Sequence, residues 1–131
     1  MPEIVIRISP SVTNAELNEL FATAWAEHVL SDFQPILSRS LLYVCAYMDE
    51  KLVGFVNVAW DGGVHGFILD TTVRADYQRQ GIGRKEVEAA IEAAGAKSIE
   101  WLHVDFEPHL NAFYKQCGFR HTMAGLLNIK N

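Results

Sequence analysis

Leu69-Asp70-Thr71-Thr72-Val73-Arg74-Ala75-Asp76-Tyr77-Gln78-Arg79-Gln80-Gly81-Ile82-Gly83-Arg84 changes its hydrophobic period partway along, and that change decides the fold. Up to Val73 the residues suit a strand. From about Gly81 the pattern becomes helical, with Gly83, Val87, Ala90, Ile91 and Ala94 on one face. A strand therefore feeds through a short loop into a helix whose first turn carries two glycines. The unpaired amides of a helix start, together with the macrodipole, attract an anion. Glycine there lets the backbone approach that anion closely. Arg79 and Arg84 add positive charge, so a diphosphate is the expected occupant. Glycines that only allow close helix–strand packing are the competing reading. Two nucleotide loops are excluded by position. A Walker A loop requires Gly-x-x-x-x-Gly-Lys-Ser/Thr, whereas Gly81-Ile82-Gly83-Arg84-Lys85-Glu86 has the wrong spacing and no magnesium-binding hydroxyl. The dinucleotide fingerprint requires a third glycine where Glu86 stands.

Working outward, three strands should precede this loop as a meander. Leu41 to Met48 and Leu52 to Trp60 flank the turn Asp49-Glu50, and Asp61-Gly62-Gly63 turns the chain into a strand from Val64 to Val73. Upstream, Ile4 to Ile8 alternates as a strand that Ser9-Pro10 ends. Thr13-Asn14-Ala15-Glu16 matches a capping box, and Leu17, Leu20, Phe21, Ala24, Trp25 and His28 follow at helical spacing. Ser31 to Ser40, with Pro35 inside it, is a loop or a short second helix. Downstream, Gly95 is placed to end the helix, and Ile99 to Val104 is a strand. Glu107-Pro108 opens another helix with Leu110, Phe113, Tyr114 and Cys117 inward, stopped by Gly118. Ala124 to Ile129 is expected as a last strand. The order β-α-(α)-β-β-β-α-β-α-β is that of a mixed α/β domain, one unit over residues 1–131.

Composition narrows the function classes. Half of the 131 residues are apolar and about a fifth are charged, as in ordinary globular chains that bury a core unaided. No apolar run reaches the roughly 18–20 residues of a membrane span. The opening Met1-Pro2-Glu3-Ile4-Val5-Ile6-Arg7 alternates and carries an acid, so it is expected to be a strand and not a signal peptide. Two cysteines, Cys45 and Cys117, without CxxC spacing, imply neither a disulfide scaffold nor zinc, and point to a reducing cytoplasm. A net charge of -5 argues against nucleic acid as the main partner. The five histidines lack HxxxH or HExxH spacing, so no metal is expected.

Gln78-x-x-Gly81-x-Gly83, after a strand ending in Val73, resembles the Arg/Gln-x-x-Gly-x-Gly/Ala signature of the Gcn5-related N-acetyltransferases. The hairpin Tyr47 to Phe55 is similar to that family's second and third strands. Phe113-Tyr114-Lys115-Gln116-Cys117-Gly118-Phe119 is similar to its late motif of Tyr, three residues, then Gly-Phe. The resemblance spans almost the whole chain. It implies a mixed, mostly antiparallel sheet of about six strands, flanked by three or four helices, with a splayed gap for acetyl-CoA. It also implies that amides of Arg79, Gln80, Gly81, Ile82, Gly83 and Arg84, with Gln78 beside them, cradle the pyrophosphate. The pantetheine arm would pair with backbone near Thr71 and Val73, and the Val73 amide would polarise the thioester carbonyl. Tyr114 would protonate the departing thiolate, although periodicity alone would have its ring simply pack under the last helix. An asparagine often precedes that tyrosine by seven residues. Here the place is Glu107, with Asn111 nearer. The chain stops soon after the expected last strand, so the substrate side is expected to be more open, or completed by a second subunit of a homodimer.

The acceptor amine must lose a proton. His65, Asp70, His103 and Asp105 lie near the loop and the next strand, and His65 and Asp70 are kept as candidate bases. Cys117 has no adjacent histidine, which favours direct transfer over an acetyl-enzyme. The expected activity is acetyl transfer from acetyl-CoA to a primary amine of a small molecule or peptide. A non-catalytic acyl-CoA-binding module and an acyltransferase with another acyl chain or acceptor are the competing readings.

Overall fold

The computed structural model describes residues 3–130. Met1 and Pro2, at the start of the expected first strand, lie outside the described residues. Five strands form one sheet in the order β1 (Val5–Ile8), β2 (Leu42–Met48), β3 (Lys51–Trp60), β4 (His65–Val73) and β5 (Trp101–His103). The first four are antiparallel neighbours, and β5 runs parallel to β4. Four helices flank them: α1 (Asn14–Ala24), α2 (Gln34–Arg39), α3 (Ile82–Ala96) and α4 (Asn111–Gln116). Local chemistry explains most boundaries. Thr13 and Glu16 make the reciprocal capping box that starts α1. Asp49 and Glu50 both take positive φ (50° and 66°), as a two-residue hairpin between right-twisted strands requires. Gly118 at φ +102° ends α4, and Phe119 N–H returns to the Tyr114 carbonyl at 3.0 Å.

Several expectations are corrected. α1 stops at Ala24, so Trp25 and His28 leave its stripe. His28 instead meets the Asn18 side chain at 2.8 Å. The 31–40 segment contains α2, with Pro35 in its first turn. α3 runs past Gly95 to Ala96, and its left-handed closing residue is Ser98 (φ +69°), with Ile99 N–H reaching back to the Ala94 carbonyl at 3.1 Å. Pro108–Leu110 forms a 3-10 turn before α4. The expected strand from Ala124 to Ile129 is absent: this stretch is irregular, with Met123, Leu126, Leu127 and Ile129 over four-fifths exposed. A short apolar stretch does not make a strand without a partner edge.

The two sheet faces are covered differently. Leu17, Leu20, Phe21 and Phe33 of the α1–α2 layer pack on Cys45, Tyr47, Leu52 and Phe55. On the opposite face α3 lays Ala90 and Ala94 over Val44, Val56, Val58 and Ile68, and Ile82 over Ala46 and Val53. The buried stripe of α3 is Ile82, Glu86, Val87, Ala90 and Ala94, rotated from the expected face so that it includes a carboxyl.

Candidate active site

The site begins with two irregularities in β4. Asn57 pairs with Leu69 and Phe55 with Thr72, so Asp70 and Thr71 together stand opposite the single residue Val56. This is a β-bulge, and Asp70 takes the left-handed φ of +58° that it needs. The second irregularity is on the other edge. β5 pairs with β4 only at His65↔Trp101, Gly66↔Leu102 and Phe67↔His103. Beyond Phe67 the two strands part, leaving the edge of Leu69–Val73 without a strand neighbour. Arg74 N–H donates to the Val53 carbonyl at 2.8 Å, toward β3. Amides alternate in direction along a strand, so the Val73 N–H points the other way, into the gap. The Val73 carbonyl accepts from Gln78 Nε2 at 3.1 Å, so the Gln78 side chain folds back over the strand end.

The loop after β4 makes a 3-10 turn at Ala75–Tyr77, then takes positive φ at Arg79 (65°) and Gly81 (81°) before α3 begins. The two glycines differ in what requires them. A Cβ on Gly81 would meet nothing within 4 Å, so its φ alone demands glycine. At Gly83 a Cβ would sit 3.5 Å from the Phe113 ring and Val73 Cγ2, an ordinary contact. Packing within the protein thus does not exclude a side chain at Gly83. Lys85 N–H is bonded to the Gly81 carbonyl at 3.1 Å, and the amides before it in the first turn project from the helix end. Arg84 is ion-paired with Glu88 at 3.1 Å, while Arg79 is exposed. A further cation, Arg74, is bound to Glu19 and Asp76, both at 3.0 Å, and ties the loop to α1.

Tyr114 closes the gap from the α4 side. Its ring is buried, stacked on Phe106 at 4.8 Å and edge-on to Phe113 and Phe119. Its hydroxyl donates to Thr71 Oγ1 at 3.3 Å. Burial raises the phenol above its ordinary value, partly offset by the Thr71 hydrogen bond. It is therefore held protonated at neutral pH. An open cleft of about 380 Å³ beside it is lined by Phe106, Pro108, Asn111 and His121. Asn111 thus borders the cleft, and Glu107 is exposed at the start of the 3-10 turn.

The remaining candidates separate. Asp70 is at the surface by area, yet crowding around its carboxyl desolvates it and raises its pKa. His65 and His103, weighed singly in the sequence, are hydrogen-bonded to each other: Nδ1 of His65 lies 2.8 Å from Nε2 of His103. Cys117 is half-buried and its thiol is raised by burial, which makes it a poor nucleophile. Glu86 is wholly buried against Gly54, with both oxygens lacking a partner among the described residues. A Cβ on Gly54 would lie 2.2 Å from Glu86 Oε2, so that glycine makes room for the carboxyl. The sequence signal for its burial was present, because Ile82, Glu86 and Ala90 recur every four residues. No cluster of three metal-ligating side chains occurs among the described residues, and none of the described helices is long and apolar enough to cross a membrane.

The acetyltransferase (GNAT) family model matches residues 12–119. An uncharacterized N-acetyltransferase of Pyropia yezoensis is 25% identical over 122 residues, covering 89% of this chain and 70% of the relative. A crystal structure provisionally described as an acetyltransferase from Deinococcus radiodurans R1 superposes with a TM-score of 0.81 at 23% identity, over 96% of this chain and 88% of that one. An aminoglycoside N-acetyltransferase in complex with CoA gives 0.76 at 18% identity, over 98% and 95%.

Proposed function

The chain belongs to the acetyltransferase (GNAT) family, and on that premise we propose that it transfers the acetyl group of acetyl-CoA directly to a primary amine of a small molecule or peptide. One observation carries the reading: the gap between β4 and β5 has the Val73 amide on one side and the protonated Tyr114 hydroxyl at Thr71. The residues present fit coenzyme A. The amides from Arg79 to Arg84 bind its pyrophosphate, with the positive φ of Gly81 turning the loop and bare Gly83 letting the phosphates close in. Gln78 holds the end of β4 in place through the Val73 carbonyl. Thr71 and Val73 offer backbone to the pantetheine arm along the unpaired edge.

Acetyl-CoA supplies an activated acyl group. The Val73 N–H stabilises negative charge on the carbonyl oxygen as the amine attacks. Tyr114, protonated at neutral pH, gives its proton to the leaving thiolate. Cys117 takes no part, because its thiol stays protonated and no imidazole adjoins it. A single-domain organisation and action as a soluble protein are part of the same reading. The test is release of free CoA thiol from acetyl-CoA across a panel of primary amines. Turnover with at least one amine supports transfer, whereas binding of acetyl-CoA without turnover on any amine would favour an acyl-CoA-binding module.

A further inference from the structure

The β4–β5 contact at the closed end of the split has a side-chain counterpart on one face of the sheet. Gly66 and Ile68 turn toward α3: a Cβ on Gly66 would meet Val58, Ile99 and Leu102, and Ile68 packs with Ala90 and Ala94. By strand alternation His65, Phe67 and Leu69 turn to the other face. The α1–α2 layer covers that face over β2 and β3 but leaves Phe67, Leu69 and Trp101 more than a third exposed. His103 stacks on Phe67 at 4.8 Å and 22° and shares the hydrogen bond with His65. The glycine loop starts α3 on the covered face. A cofactor entering from the loop and an acceptor arriving over Phe67 and Leu69 would therefore meet from opposite faces of the sheet, through the split.

We propose that the His65–His103 pair is the proton exit for the acceptor amine, with water along the split carrying the proton from the attacking nitrogen to His103 and His65 passing it to solvent. The proposal rests on the acetyl-transfer reading. His103 is paired with Phe67, the last β4 residue before the strands part, so it is the member nearer the reacting carbonyl. One proton lies between the two rings in the neutral pair. In the tautomer where His103 Nε2 donates to His65, Nδ1 of His103 carries a free lone pair and Nε2 of His65 carries a hydrogen. A proton accepted at His103 Nδ1 then moves along the shared bond, and another leaves from His65 Nε2. In the reaction the N–C bond forms, the C–S bond breaks, the amine's proton goes to His103, and the thiolate takes its proton from Tyr114. The charged group nearest in sequence to the start of β4 is Asp61, whose carboxylate is bonded to the Gly63 amide at 2.8 Å and held below its usual range chiefly by that bond. Asp105 follows His103 by two residues.

The first test needs no acceptor. In protein labelled with ¹⁵N throughout, the histidine rings and the Gly81 and Gly83 amides are followed by NMR while acetyl-CoA or adenosine 3',5'-bisphosphate is added. The loop amides should respond to both, and the His103 ring to acetyl-CoA alone. A silent His103 ring with responding loop amides overturns the proposal. Loop amides that ignore acetyl-CoA overturn the acetyl-transfer reading itself, and the proposal with it. In the second test, the amine with fastest turnover in the panel is used with His103→Gln. The expected result is a kcat about 10²-fold lower, a KM for acetyl-CoA changed by less than about twofold, a flattened acid limb of kcat/KM, and partial rescue by added imidazole. A reduced kcat with the pH profile unchanged and no rescue assigns His103 a structural role and overturns the proposal.

Discussion

The Tyr114 hydroxyl donates to Thr71 Oγ1 at 3.3 Å, joining residues 43 positions apart across the opening between β4 and α4. Thr71 lies in the β4 bulge and Tyr114 in a helix of six residues, so neither partner is placed by its own element alone. The bulge brings Thr71 to the gap, and the stacked Phe106 with the edge-on Phe119 fixes the ring.

Tyr114→Phe keeps the aromatic packing and removes the proton donor. If Tyr114 protonates the leaving thiolate, kcat should fall by about 10²–10⁴-fold, while acetyl-CoA affinity by calorimetry stays nearly unchanged. Because the native phenol is raised, wild-type activity should persist to a pH above the ordinary tyrosine value of about 10 before that acid is lost.

Glu86→Leu should stabilise the fold. The native carboxyl is buried without a hydrogen-bond partner among the described residues, a situation costing about 1–3 kcal/mol. Burial raises its pKa well above the ordinary glutamate value, so the folded state holds a proton that the unfolded state releases. Native stability is therefore highest below about pH 4.3 as far as this group is concerned, and falls by up to about 1.4 kcal/mol per pH unit above it until the buried carboxyl ionises. Melting curves of the variant and wild type should diverge as pH rises from 4 to 8, with the variant the more stable.

Gly81→Ala and Gly83→Ala should separate strain from ligand approach. Alanine at Gly81 must adopt φ +81°, which costs about 1–2 kcal/mol and should lower the melting temperature. Alanine at Gly83 meets only ordinary contacts at 3.5 Å, so stability should hold. Its methyl group would crowd the expected phosphate position, so the Kd for coenzyme A should rise. Calorimetry and thermal melts on both variants check the contrast.

Thr13→Ala removes one half of the capping box at α1. The loss of the hydroxyl's bond from the Glu16 amide (3.1 Å) should cost about 1 kcal/mol. Urea unfolding should show a lower midpoint with an unchanged slope, because the same surface is buried.

Much of the fold was legible because local rules set it. The capping box, the Asp49–Glu50 and Asp61–Gly62–Gly63 turns, the Gly118 stop and the change of period after Val73 each depend on a few adjacent residues. The loop's similarity to a known signature added the family. Positions set by contacts distant in the chain were less legible. Ser98 closes α3 in place of the better-suited Gly95, and Glu86 occupies an apolar stripe because Gly54 on β3 leaves room for it. Ala124–Ile129 is apolar enough for a strand, but it pairs with no strand edge among the described residues.

The sequence by itself determined that a strand leads through a glycine loop into a helix start, with Gly81 at the turn and Tyr114 on a later helix. These follow from backbone sterics, glycine placement and periodicity, which act over a few residues. Only the tertiary structure decided where β4 and β5 part, how the bulge at Asp70 and Thr71 re-aims the strand, and that His65 and His103 meet. Those depend on strand register. Many non-local contacts set register together, and no short stretch of residues contains them.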